Sequence, residues 1–131
     1  MPGARIKRQW RGWIKHNFRN LKIYQRAIGY AVEIYRLSSL FPKEEIYGLT
    51  SQIRRAVVSI ALNIAEGSGN NSNKEFQRYL EIALRSDYEV IACLEIALRL
   101  EYFTKKEFER LAGEGDELAA MIAGFAKSLS I

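Results

Sequence analysis

Arg5, Lys7, Arg8, Arg11, Lys15, Arg19, Lys22 and Arg26 all precede Glu33, the first acid of the chain. Aromatic side chains are interleaved with them, in the order Arg8, Trp10, Arg11, Trp13, Lys15, His16, Phe18, Arg19. From Glu33 onward there are 12 basic and 15 acidic residues, a net of −3, although the whole chain carries +5. The positive charge therefore belongs to the N-terminal arm and the start of the first helix. Such an asymmetry suits a polyanion, either nucleic acid or an anionic membrane surface. Lysine and arginine neutralise phosphates and release counterions, and Trp10 and Trp13 are suited to stack on exposed bases. Three other uses fit the same residues. The arm lies along an anionic membrane as an interfacial helix, packs on a neighbouring subunit, or is an extension of little consequence. Nucleic acid, RNA or DNA, is the leading expectation, with no membrane partner.

A second constellation lies further on. Gln52, Arg55, Ser59, Asn63 and Glu66 recur at three- and four-residue steps, so in a helix they share a face. Either this face is solvated, or it forms a polar network at a helix contact or subunit interface, with Asn63 bonding across and Glu66 meeting an arginine. Glu66 falls near a helix C-terminus, against the dipole preference, which points to compensation. Arg54 adjoins Arg55, and Arg78 and Arg85 stand seven apart on one helix face. Glu81 and Glu89 are close enough in sequence to make an ordinary salt-bridged surface there. Oligomerisation would align such arginines into a ring and raise the local potential.

Residues for catalysis or metal binding are few. A di-iron helical bundle needs two Glu-x-x-His pairs and two further glutamates, whereas His16 is the single histidine and lies in the arm. Glu66, Glu89 and Glu95 have no histidine at ligand spacing. Cys93 sits in an apolar stretch and reads as a buried structural thiol. Gly67-x-Gly69 lacks the strand, lysine and third glycine of a phosphate loop. No catalytic residue, cofactor or metal is expected.

Four helices must carry these groups. The first is expected from about Leu21 to Leu40, with Leu21, Tyr24, Ile28, Ala31 and Tyr35 as its apolar stripe and Pro42 as its stop. The second runs from about Leu49 to Glu66, burying Ile53, Ala56, Val57, Ile60 and Ile64, with Gly67 ending it in the left-handed conformation. Ser72 with Glu75, and Thr104 with Glu107, form capping boxes that open the third and fourth helices. The third, about Asn73 to Leu100, carries Phe76, Leu80, Ala83, Val90, Ile91, Leu94 and Leu98. Tyr79, Ile82, Tyr88, Ala92 and Ile96 widen that band, so burial on two sides is expected. The fourth, about Lys105 to Leu129, has a coiled-coil-like seam of Phe108, Leu111, Gly115, Leu118, Ile122, Phe125 and Leu129. Short connections make neighbouring helices antiparallel. The expected fold is all-α, an up-down-up-down four-helix bundle over residues 20–131 preceded by the arm, 1–19.

With 131 residues the chain suits one domain. The lone cysteine excludes an internal disulfide and favours a reducing compartment. No apolar run is long enough to span a membrane, and no apolar segment of the signal-peptide kind follows the basic N-terminus. A cytoplasmic location is expected.

Phe41 to Ala56 reads FPKEEIYGLTSQIRRA, and Ser59 to Gly67 reads SIALNIAEG. With Lys74-Glu75-Phe76, Tyr79-Leu80, Ile82-Ala83, Ser86 and Glu89, these resemble the four-helix bundle family of proteins encoded in intervening sequences of bacterial 23S ribosomal RNA genes. That family includes the accessory variability determinants of diversity-generating retroelements. The likeness runs from about Phe18 to the C-terminus. It implies a four-helix protomer, a pentameric barrel, and, for the retroelement members, basic surfaces that bind nucleic acid and a reverse transcriptase. The sequence departs from the pattern at Asn70, where arginine is usual, at Arg85, where glycine is usual, and at Ala61, where proline is frequent. The first removes a positive charge and the second adds one. The reading is thus a non-enzymatic, nucleic-acid-binding homo-oligomer, for which the resemblance implies service to a reverse transcriptase. Its rival is a protein scaffold with no nucleic-acid affinity.

Overall fold

The structure is a computed structural model and describes residues 17–70 and 72–130. Four α-helices follow one another: α1 (Lys22–Ser38), α2 (Leu49–Ser68), α3 (Asn73–Arg99) and α4 (Lys105–Ser128). Single 3-10 turns precede α1 at Phe18–Asn20 and α2 at Lys43–Glu45. Each helix packs on its two neighbours in a closed ring, α1–α2–α3–α4–α1, while the diagonal pairs make no backbone approach. Cross-helix bonds give the direction. Arg26 meets Glu117 and Glu33 meets Arg110, one helix rising as the other falls, and Gln52 meets Glu89 as Ser59 meets Ser86. The result is the antiparallel up-down-up-down bundle.

The capping residues explain two of the helix starts. The Ser72 and Thr104 hydroxyls accept the amides of Glu75 and Glu107 at 3.1 and 3.2 Å. The reciprocal half of each box is not made. Glu75 turns instead to Arg78 and Glu107 to Arg110, both at 2.9 Å, and those guanidinium bonds hold both carboxyls below their ordinary range. The start of α2 has a different device. Glu45, in the turn before it, accepts the Leu49 amide at 3.0 Å and the Tyr102 hydroxyl at 2.6 Å. One carboxylate thereby caps α2 and ties its entry loop to the α3–α4 connection, and these two bonds lower its pKa. The chain leaves α3 through Glu101, at φ 63°, with the Tyr102 amide reaching back to the Ala97 carbonyl, a left-handed cap of the kind glycine usually supplies.

The core is formed by Ile53, Val57, Ile60 and Ile64 of α2, Phe76, Leu80, Val90 and Leu94 of α3, and Leu111, Leu118 and Ile122 of α4. On α1 the buried stripe is Ile23, Ala27, Tyr30, Ile34 and Leu37. The expected stripe is therefore corrected. Leu21, Tyr24 and Ala31 are only partly covered, while Ile28 and Tyr35 are 39% and 43% exposed. The helix has apolar residues at helical spacing on two sides, and the side with the longer buried run faces the bundle. Of the widening residues of α3, Tyr88, Ala92 and Ile96 lie outward, Tyr88 57% and Ile96 51% exposed, while Tyr79 and Ile82 are half-buried.

Gly67 departs from expectation too. It is helical, no described glycine has positive φ, and α2 continues to Ser68. Its role is close approach, since a Cβ there would lie 2.6 Å from the Tyr79 Cβ and 3.0 Å from the Phe76 ring. Gly29, Gly113 and Gly124 differ, for nothing lies within 4 Å of where their Cβ would stand. Replacing those three with alanine is expected to stabilise the bundle by about 2–3 kcal/mol in sum. Gly67→Ala is expected to destabilise it by about 1–3 kcal/mol through overpacking. Urea midpoints moving in opposite directions check the pair, and a stabilising Gly67→Ala would refute the tight contact.

Candidate nucleic-acid interface

The cations picked out in the sequence fall into four places. Arg5, Lys7, Arg8, Arg11 and Lys15, with Trp10 and Trp13, lie outside the described residues. Arg19 and Lys22 stand where the arm joins α1, exposed and in no ion pair with a described residue. Arg78 is near the same end, because α3 begins where α4 finishes: Asn73 Nδ2 donates to the Leu129 carbonyl at 3.3 Å. Lys74 and Lys127 share that end, so five cations stand there against Glu66 and Glu75. Arg26, one turn further along α1, is bound to Glu117 at 2.9 Å and is committed to the bundle. Arg78 is likewise held by Glu75 and lies over the Tyr79 ring at 4.9 Å.

Arg54 and Arg55 sit toward the opposite end and do different things. Arg54 donates to the Ser38 hydroxyl at 2.8 Å and the Tyr35 carbonyl at 3.3 Å, and stacks on the Tyr35 ring at 4.7 Å. It fastens α2 to α1. Arg55 is exposed with no acceptor among the described residues, beside a groove lined by Tyr35, Ile46, Thr50, Ser51 and Val58. Arg85 is exposed on the outer face of α3, and neither Glu81 nor Glu89 pairs with it. Among the described candidates, Arg19, Lys22, Arg55 and Arg85 keep their charge free for a ligand.

The polar face of α2 packs against α3. Gln52 Nε2 donates to the Glu89 carboxylate, Ser86 Oγ bonds Ser59 Oγ at 2.9 Å, and Asn63 Nδ2 donates to the Ser59 carbonyl at 2.8 Å. Arg55 lines one groove with Gln52, Ser59, Ser86 and Glu89. Glu66 is exposed, and no described arginine reaches its carboxylate; its backbone carbonyl accepts Asn70 Nδ2 at 3.2 Å. Gln52 and Ser59 thus bond across the α2–α3 seam, whereas Asn63, expected to bond across, turns back to Ser59 of its own helix.

One polar residue of consequence escapes a reading of motifs. Asp87 of α3 is fully buried, and neither carboxylate oxygen has a hydrogen-bond partner among the described residues. Burial, with Asp116 adding like charge, pushes its pKa up to about 7. Facing it across the core is Tyr30 of α1, whose hydroxyl donates to the Leu111 carbonyl at 3.0 Å and whose pKa burial also raises. Both crowd Gly115 of α4: a Cβ there would meet Tyr30 Oη at 2.5 Å and Asp87 Oδ1 at 3.1 Å. The steps Leu80, Ala83, Asp87, Val90, Leu94 carry the signal, since Asp87 occupies the core stripe itself. Cys93 is buried, and its thiol is pushed up by burial and by Glu89, which disfavours the reactive thiolate. Among the described residues no group of three or more His, Cys, Asp or Glu is placed to hold a metal ion. No described helix is long and apolar enough to cross a membrane.

Fold and surface define a four-helix bundle with a cationic end, a satisfied polar seam and a buried acid. The 23S rRNA-intervening sequence protein family model matches residues 19–124. The chain belongs to that family. Among solved structures it is similar to a protein of unknown function from the S23 ribosomal protein family of Bacteroides thetaiotaomicron, at 26% identity and a TM-score of 0.75, covering 80% of this chain and 98% of the other. No curated protein matches.

Proposed function

We propose that the chain is a non-enzymatic, cytoplasmic, nucleic-acid-binding protein that works as a homo-oligomer, holding phosphates with the N-terminal arm and the end of the bundle from which it departs. The observation that carries this reading is the charge pattern: eight cations before the first acid, two of them, Arg19 and Lys22, in no ion pair with a described residue at the arm's root. Lys74 and Lys127 extend the same pole. Oligomerisation, pentameric by resemblance, is supported by apolar residues left outward on and just after α3, Tyr88, Ile96 and Leu100, each at least half exposed. Those same residues favour the scaffold as a second reading, in which assembly alone is the function. A reverse transcriptase is the protein partner the family resemblance suggests, and co-purification with one encoded beside this gene tests it.

Fluorescence anisotropy with labelled RNA and DNA tests the central claim. Binding is expected to both, with affinity falling linearly in log–log against salt at roughly 0.7–0.9 per phosphate contacted. A salt-independent association, or none with either polymer, overturns it and leaves the scaffold.

A further inference from the structure

The wall formed by α1 and α2 offers a polyanion no free carboxylate over most of its length. α2 has no acid from Leu49 to Ala65, and the one acid of α1, Glu33, meets Arg110 of α4 at 3.4 Å. Glu45, in the turn before α2, is held by the Leu49 amide and the Tyr102 hydroxyl. Between the two helices runs a groove of about 340 Å³ whose lining includes Tyr35, Ile46, Val58, Arg54 and Arg55, a size that suits a small ligand.

The two arginines differ in a way that fits one nucleotide. Arg54 is fixed: its bonds to the Ser38 hydroxyl and the Tyr35 carbonyl, at 2.8 and 3.3 Å, hold the guanidinium over the Tyr35 ring at 4.7 Å. A rigid cationic plane backed by an aromatic ring is a platform on which an unpaired base stacks. Ile46, on the same groove, is 52% exposed, an apolar rim against which a base edge sheds water. Arg55 is exposed with no acceptor among the described residues, so its guanidinium is available to a phosphate. A carboxylate needs only the free arginine, whereas the clamped plane and the apolar rim suit a flat ring as well. A duplex, whose bases stack on each other, has no ring to offer.

We propose that this groove seats one unpaired nucleotide of a single strand, its base on the Arg54–Tyr35 platform and its phosphate on Arg55. Such a seat presupposes the nucleic-acid-binding reading and adds to it a preference for single strands, built into the bundle. From Lys22 to Tyr35, α1 measures roughly 20 Å at its rise per residue. At about 3.4 Å per nucleotide, a strand of about ten reaches from the arm's root to the groove.

Anisotropy with labelled twelve-nucleotide single strands of RNA and DNA, and with a duplex of the same length, tests the seat in the full chain. Arg55→Gln is expected to lower the single-strand salt slope by roughly 0.7, the share of one phosphate. Arg54→Lys keeps the charge and loses the plane, so it is expected to weaken single-strand binding roughly tenfold with the slope unchanged. Because Arg54 also fastens α2 to α1, Ile46→Glu serves as a further variant. It alters an exposed rim position, sets a carboxylate in the groove, and is expected to weaken single strands about as much. Duplex affinity is expected to hold in all three, with helix content by circular dichroism unchanged. Equal losses for single strands and duplex overturn the inference, since the groove then supplies only charge. Single-strand binding untouched by the three variants also overturns it and leaves the nucleic-acid reading standing. Poly-glutamate that loses affinity alongside the single strand in Arg54→Lys gives the groove to an acidic peptide instead. An unsubstituted chain that binds no nucleic acid overturns the parent reading, and the seat with it.

Discussion

Deleting residues 1–16 is expected to weaken RNA and DNA binding by about a hundredfold or more in low salt and to flatten the salt dependence by roughly 3–5 log units per decade. The segment holds Arg5, Lys7, Arg8, Arg11 and Lys15 and no acid. Each of these five cations, once it neutralises a phosphate, adds roughly 0.7–0.9 to the slope, and their sum is the expected change. The deletion removes no described residue, so thermal unfolding and assembly measured alongside separate lost binding from lost structure. Replacing Trp10 and Trp13 with alanine should leave the slope alone. If the rings stack on bases, it lowers affinity for single strands by about 1–3 kcal/mol per base released and affects duplexes much less. An unchanged slope after deletion places the phosphate contacts on the bundle and removes the arm from the interface.

Asp87 has the opposite pH signature from the other shifted carboxylates. An acid whose pKa is raised by folding binds its proton more tightly in the native state, so its contribution is fully present below about pH 4 and is lost as pH rises toward 7. With the folded value at about 7, stability is expected to be about 2–3 kcal/mol lower at pH 8 than at pH 5. That corresponds to a melting temperature lower by roughly 10 °C. Glu45, Glu75 and Glu107 have lowered values, so their contributions are present at neutral pH and are lost only on strong acidification. The chain is therefore most stable in mild acid. Asp87→Asn keeps the volume and abolishes the titration, and should flatten the curve between pH 5 and 8. A variant whose pH profile matches the parent's would show that Asp87 finds a partner for its charge in solution.

Much of the fold is legible in local chemistry. Ser72 and Thr104 announce α3 and α4, because a hydroxyl before a helix has an unpaired amide to accept. The core stripe of α2 is readable because Gln52, Arg55, Ser59, Asn63 and Glu66 keep the face beside it polar, although Leu62 is left exposed outside both. α1 offers apolar residues on two sides, and spacing alone does not say which side the other three helices bury. Gly67 looks like a helix stop because glycine tolerates positive φ; that it instead admits the Tyr79 Cβ depends on α3, far along the chain. Asp87 sits in a readable stripe, yet a carboxylate at such a position reads as solvent-facing until its neighbours are known. At the interface, the sequence supplies the charges, but which are spent is a tertiary matter. Arg26 and Arg78 are neutralised by Glu117 and Glu75, Arg54 fastens two helices, and Arg19, Lys22, Arg55 and Arg85 are left over.

On the proposed nucleic-acid-binding reading, the uneven spread of charge along the bundle also bears on how the molecule would meet a polyanion. Lys22, Lys74 and Lys127 cluster at the pole that carries the arm, whereas Lys43, Lys105 and Arg99 at the far pole are offset by Glu44, Glu101 and Glu95. A particle polarised in this way is turned by the field of a polyanion before contact, arm first, within a screening length of about 10 Å in ordinary buffer. On that reading capture would be quickest when ions are scarce, and orientation would precede grip.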